Sequence, residues 1–309
     1  MDSVADVNIG GGVLVQATGD NYAQAWNGGF AAVAYSDHAQ ATVSVNGDVL
    51  IHAASDAGSA SATMSYLYAS ATGVSGQAMV DIEGNLTVQA VGQDFAYAGL
   101  TWTMAAWAYS DSAQATLTIQ GDLSAHATAM GASVPTSAAS NFMATATASI
   151  NYFSAYAGGN ATGADALVHI DGSVSVQAIA ADRAFAYSGG GAYAHGEDST
   201  AIVDVTGDYE VVAVVNAVYA TDATQNANPL GGNLYASASL YDISAIAGDR
   251  WNDNVGLGSK VEFNIDGDVT VSATSPVDAY AGLWNVYAQA NANALELVAD
   301  NPDTADVDE

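Results

Sequence analysis

The 309-residue chain contains no cysteine. That absence excludes a disulfide scaffold, a thiolate zinc site and a cysteine nucleophile. Positive charge is almost as scarce, with three Lys and Arg against 33 Asp and Glu and a formal net charge of −30. A nucleic-acid binder neutralises phosphate with cations, and almost none are present, so no nucleic-acid partner is expected. The same shortage argues against an anionic membrane surface. Charged residues make up only 12% of the chain while half is hydrophobic, too apolar for charge-rich disorder. No stretch reaches about 18 consecutive strongly apolar residues, so no membrane insertion through a helix is expected. Met1-Asp2-Ser3-Val4 lacks the regions of a signal peptide. The chain therefore reads as cytosolic or, in better accord with repeats that start at once, as a piece of a longer secreted protein.

What the chain does have is repetition. Seven segments alternate apolar and other residues around a central glycine and end on alanine: Val7–Ala17, Val43–Ala53, Val80–Ala90, Leu117–Ala127, Val168–Ala178, Val203–Ala213 and Phe263–Ala273. The glycines are Gly11, Gly47, Gly84, Gly121, Gly172, Gly207 and Gly267, at intervals of 36, 37, 37, 51, 35 and 60. A longer period overlies this one. Tyr35-Ser36-Asp37-His38 recurs as Tyr109-Ser110-Asp111-Ser112, and Gln and His alternate before the terminal alanine as Gln16, His52, Gln89, His126 and Gln177.

Period-two alternation is the mark of a β-strand. In the second copy Val43, Val45, Val49, Ile51 and Ala53 face one way, and Ser44, Asn46, Asp48, Leu50 and His52 face the other. The glycine is expected to permit a positive φ at a bend, and the alanine to mark a close approach. Segments between motifs, such as Ala60-Ser61-Ala62-Thr63-Met64-Ser65-Tyr66, read as further strand. A helix is disfavoured because the i, i+3, i+4 apolar pattern is absent.

The expected fold is all-β: a parallel β-solenoid of about seven 36–37-residue repeats over residues 1–299, followed by an acidic tail over 300–309. Each repeat is expected to make two coils of about 18 residues, giving a rod on the order of 70 Å at ~4.8 Å per coil. The longer intervals after Gly121 and Gly207 would hold loops or further coils. The alternative is an antiparallel meander, sandwich or barrel with the glycines at hairpin tips. No charged or proline-bearing cap precedes Val7-Asn8-Ile9, as expected either of a piece of a longer rod or of head-to-tail self-association through open strand edges.

The stretches Gly47-Asp48-Val49-Leu50-Ile51-His52-Ala53 and Gly267-Asp268-Val269-Thr270-Val271-Ser272-Ala273 resemble the repeat regions of large secreted bacterial adhesins of the filamentous-haemagglutinin kind. Gly121-Asp122-Leu123 and Gly207-Asp208-Tyr209 match more loosely. The resemblance implies a cell-surface or matrix stalk and carries over no catalytic residue.

Candidate sites lie within the repeat. Stacked turns would bring Asp48, Asp122, Asp171, Asp208, Asp266 and Asp268 near one another as oxygen ligands for calcium, or leave them to hydrogen-bond their own turns. Asp249-Arg250-Trp251-Asn252-Asp253-Asn254 is a second acidic stretch that would hold an ion or serve as a solvated loop. The histidines show no metal spacing, although His52 and His126 fall on one face. Trp26, Trp102 and Trp284 are candidate aromatic contacts, either exposed for sugars and proteins or stacked within the core. Threonines at 42 and 116 begin an ice-binding ladder that Met79 and Leu167 break.

The functional expectation is a non-enzymatic, extracellular structural or adhesive repeat protein that self-assembles end to end. The alternatives are a module binding calcium, carbohydrate or ice, and a carbohydrate-active β-helix.

Overall fold

The structure, a computed structural model, describes residues 2–131, 144–158, 163–216, 234–248 and 258–290. The first coil is β1 (Val4–Ile9), β2 (Val13–Gly19), β3 (Tyr22–Asn27) and β4 (Phe30–Tyr35). The second is β5 (Gln40–Val45), β6 (Val49–Ser55) and β7 (Ser59–Thr72); the third is β8 (Gln77–Ile82), β9 (Leu86–Gly92) and β10 (Phe95–Tyr109). The fourth is β11 (Gln114–Ile119), β12 (Leu123–Ala129) and β13 (Thr145–Gly158); the fifth is β14 (Asp165–Ile170), β15 (Val174–Ala180) and β16 (Arg183–His195). The sixth is β17 (Thr200–Val205), β18 (Tyr209–Val215) and β19 (Tyr235–Ala247). The last is β20 (Lys260–Ile265), β21 (Val269–Thr274), β22 (Asp278–Trp284) and β23 (Tyr287–Ala290).

Strands of successive coils stack into three sheets in which every pairing is parallel, and this is the expected β-solenoid. Sheet A runs β1-β5-β8-β11-β14-β17-β20, and sheet B runs β2-β6-β9-β12-β15-β18-β21. Sheet C runs β3-β7-β10-β13-β16-β19-β22, with β4 and β23 completing its two ends.

The coil is twice as long as expected. Val4 pairs with Gln40 and Val13 with Val49, so one 36-residue repeat is one turn. Seven coils then span only roughly 30 Å at ~4.8 Å per step. The long intervals add no coil either. Leu123 pairs directly with Val174 and Tyr209 with Val269, leaving the extra residues between strands at the corners.

Two walls of the core are bulky and the third is thin. Val43, Val45, Val49 and Ile51 of sheets A and B are fully buried, and each stacks on a like residue in the next coil. Opposite them, sheet C turns in Ala60, Ala62, Ala69 and Ala71, repeated as Ala96, Ala98, Ala106 and Ala108. The terminal alanines of the motif form one column, from Ala53 and Ala90 to Ala127, Ala178 and Ala213, all buried.

The repeated glycine has a different reason from the one expected. None of the seven has a positive φ. Left-handed backbone falls instead at the corner between sheets C and A, at His38, Ser75, Ser112 and Asp198. The glycines are needed for close stacking. A Cβ at Gly84 would lie 2.6 Å from Asp48 Oδ1 and 2.7 Å from Gly47 C; at Gly121 it would lie 2.6 Å from Asn85 Oδ1.

Candidate functional site

The corner between sheets A and B carries most of the candidate carboxylates. Asn85 N–H donates to Asp48 Oδ1 at 2.8 Å, Asp122 N–H to Asn85 Oδ1 at 2.8 Å, and Ser173 N–H to Asp122 Oδ1 at 2.8 Å. Asp208 N–H donates to Ser173 Oγ at 3.2 Å, and Asp268 N–H to Asp208 Oδ1 at 2.9 Å. Each side chain thus accepts from the backbone of the next coil rather than from its own turn. What the column shares is an acceptor oxygen, and Asn and Ser serve as well as Asp.

Asp171 stands two positions before the ladder residue Ser173, on the other side of Gly172, and accepts from Thr206 Oγ1 at 3.1 Å. Asp266 is exposed on the last turn, its backbone N–H donating to Val205 O at 2.9 Å. Among the described residues, no group of three or more His, Cys, Asp or Glu is arranged to hold a metal ion. The second acidic stretch, Asp249–Asn254, and the tail over 300–309 lie outside the described residues.

His52 and His126 do share the outer face of sheet B, with Gln89 between them. Burial pushes the His126 imidazole below its usual pKa, against the charge of Glu210. Its Nε2 lies 3.1 Å from Ser175 Oγ.

Sheet C holds the other candidates. Its inner face is alanine toward both ends of each strand, with Met64, Leu67, Leu100 and Met104 between, and its outward positions carry aromatics interspersed with Ser and Thr. Tyr22, Tyr35 and Phe95 are exposed there, and most of the rings among the described residues are wall decoration rather than core filler. Among the described residues Tyr209 and Phe153 are fully buried, and Phe30 and Phe263 pack partly buried against the core. Rings also stack between coils: Tyr68 meets Trp107 edge-on with centroids 5.3 Å apart, and Tyr109 lies 5.3 Å from Tyr156. Burial and the neighbouring Tyr68 and Tyr156 push Tyr109 up to about 12, so its hydroxyl keeps its proton at neutral pH.

The three singled-out tryptophans do not come together. Trp26 is in the first coil, its Nε1 donating to Ser65 Oγ at 3.1 Å, and Trp284 is in the last, stacked on Tyr280 at 6.4 Å. Trp102 is 74% exposed on a bulge of β10, where the register with β7 shifts between Leu100 and Thr103. The bulge opens a cleft of about 340 Å³ lined by Ala31, Tyr66, Tyr68, Trp102, Thr103 and Trp107. None of these carries charge. Sequence reasoning missed Trp107 and Tyr68 as cleft residues, because only their alternation was visible and not the bulge that gathers them.

Comparison with protein-family models, with curated proteins and with solved structures finds no match. The reading of function therefore rests on the walls and corners of this molecule.

Proposed function

We propose that the protein is a non-enzymatic structural and adhesive rod of the cell surface or extracellular matrix. The observation that carries this reading is the division of labour among its repeated side chains. Corner oxygens are used in coil-to-coil hydrogen bonds, while the exposed rings gather on the outer face of one wall, sheet C, among them Tyr22, Tyr35, Tyr66, Phe95 and Trp102. Exposed aromatics supply large contact area with a polar tip, the chemistry of contact surfaces. The acidic surface keeps such a wall soluble, and the resemblance of the Gly-Asp-Val-x-Val-x-Ala stretches to adhesin repeats points the same way.

Antibody against the purified chain should label intact cells of the source, and beads coated with the chain should bind extracellular material. Labelling only after permeabilisation overturns the surface placement. Turnover of an acidic polysaccharide by the purified chain replaces the reading with the carbohydrate-active one.

The cleft beside Trp102 favours a second reading, a module binding neutral carbohydrate. Its lining has rings and no charge, within a chain that repels anions. Neutral oligosaccharide should quench tryptophan fluorescence saturably, and Trp102→Ala should abolish that response; an unchanged response sinks this reading. Binding of calcium remains a separate proposal for the corner carboxylates, and the variants discussed below distinguish it from hydrogen bonding.

A further inference from the structure

Gly11 is the one repeated glycine without a neighbour to explain it. The same position is crowded in every later coil. A Cβ would lie 2.9 Å from Gly12 N at Gly47, 2.6 Å from Asp48 Oδ1 at Gly84, 2.6 Å from Asn85 Oδ1 at Gly121, 2.7 Å from Gly121 C at Gly172 and 2.5 Å from Ser173 Oγ at Gly207. At Gly267 the closest approach, to Asp208 Oδ1, is tighter still. At Gly11 nothing lies within 4 Å. In each crowded case the neighbour is the preceding coil, and Gly11 is on the first.

The last coil offers the face that Gly11 lacks. The corner ladder ends on Asp268, whose backbone takes the acceptor of Asp208. The ladder begins at position 12, a glycine with no acceptor of its own to pass on. Asp268 of one molecule and the Gly12 N–H of another are therefore the two ends of the same ladder.

The two faces also match in spacing. Traced through the strand pairings, Val4 corresponds to Lys260, Val13 to Val269, Tyr22 to Asp278 and Ala31 to Tyr287. Gly11 corresponds likewise to Gly267. The offset is the same in all three sheets, so the first and last coils have corners of equal length. Among the described residues both ends leave the core open: Val7, Ile9, Val13 and Val15 are half-buried at one end and Phe263, Ile265 and Val271 at the other, where interior coils bury such positions fully.

The geometry points to a second copy of this chain seated on the N-terminal face, in the register of the internal coils, with Gly267–Asp268 of one molecule under Gly11–Gly12 of the next. Asp268 accepts from Gly12 N–H, β20 pairs with β1, β21 with β2, and β22 and β23 with β3 and β4. The contact is head-to-tail and does not close, so it propagates as a filament. Glu262 falls beside Asp6 across this joint, and each copy carries −30. Raising ionic strength therefore promotes assembly by screening that repulsion. The inference rests on the structural-rod reading and gives its self-association a register.

Sedimentation and negative-stain microscopy of the full chain at rising protein and salt concentration test it. Filaments are expected, with a critical concentration that falls as salt rises. Gly11→Ala should abolish them while leaving the melting temperature of the monomer unchanged, because its Cβ meets nothing within one molecule. Gly10→Ala is the control. Its Cβ also meets nothing within 4 Å, but later coils carry Asn46, Glu83, Gln120 and Asp171 at this position, so filaments should persist. Asp268→Ala should raise the critical concentration roughly two- to tenfold, the worth of one hydrogen bond.

Filaments equally insensitive to Gly11→Ala overturn the register. A full chain that stays monomeric overturns the second copy as occupant, and assembly appearing only after deletion of 291–309 assigns the face to that segment instead. Surface labelling of cells that survives either result leaves the structural-rod reading standing.

Discussion

Replacing Asp122 by alanine removes the Oδ1 that accepts from Ser173 N–H at 2.8 Å. The bond lies on an exposed corner, where water competes for the freed amide, so its net worth is about 0.5–1.5 kcal/mol. For a chain of this size a loss of ~1 kcal/mol lowers the melting temperature by only about 2 °C. Hydrogen exchange read residue by residue is the sharper assay, because the effect is local. Asp122→Ala should speed exchange at the Ser173 amide roughly two- to tenfold and leave the Asp268 amide, held by Asp208, unchanged. Asp122→Asn keeps the acceptor, as Asn85 does one coil earlier, and should match the parent. Added calcium should alter none of these rates. Equal acceleration in Asp122→Asn and Asp122→Ala, or a parent rate that slows with calcium, refutes the ladder and restores the carboxylates as ligands.

Gly84→Ala drives a Cβ to 2.6 Å from Asp48 Oδ1 and 2.7 Å from Asp48 N, and should cost about 1–3 kcal/mol in urea denaturation; an unchanged midpoint contradicts the close-stacking account. Tyr209 and Ser188 share a hydrogen bond at 2.6 Å across the core. Tyr209→Phe should cost about 1–3 kcal/mol by stranding the serine, and adding Ser188→Ala should recover much of it. A double variant as poor as the sum of the singles argues against that pairing. Because His126 is held below 6.5 by burial, the unfolded chain binds its proton first as pH falls. Stability should therefore drop on acidification from 6.5 to the lower folded value and be full above it. His126→Gln, the residue found at Gln89 and Gln177, should flatten that decline; an equally steep decline in the variant places its origin elsewhere.

Strand, repeat and inward face were legible because alternation around Gly47 and Gly84 is a direct print of the pleat. Coil length was not. Ser59–Thr72 alternates like any strand, and alternation does not say where a wall ends. The third corner is made by Ser36-Asp37-His38, in which a polar residue takes the left-handed conformation that glycine usually signals. The fixed glycine was legible but its reason was not, because conformational freedom and tight packing ask for the same residue. The corner column left two uses of its oxygens open, calcium ligation and hydrogen bonding. Asn85 and Ser173 within it were the available sign that the coil-to-coil hydrogen bond asks for an oxygen of any kind. The cleft had no sign at all, since a bulge such as that at Trp102 leaves the residue pattern intact.

The unequal intervals of 51 and 60 residues carry a consequence for how such a chain changes over time. The walls before and after them keep register, Leu123 on Val174 and Tyr209 on Val269. Length can thus be gained at a corner without retuning any neighbouring strand, whereas a residue added inside a wall must be absorbed by a bulge, as at Trp102, to keep the alanines beyond it facing inward. Peptide epitopes or small domains inserted between Ala129 and Thr145 should be carried as cargo, and variation among descendants of this sequence should collect at the same places.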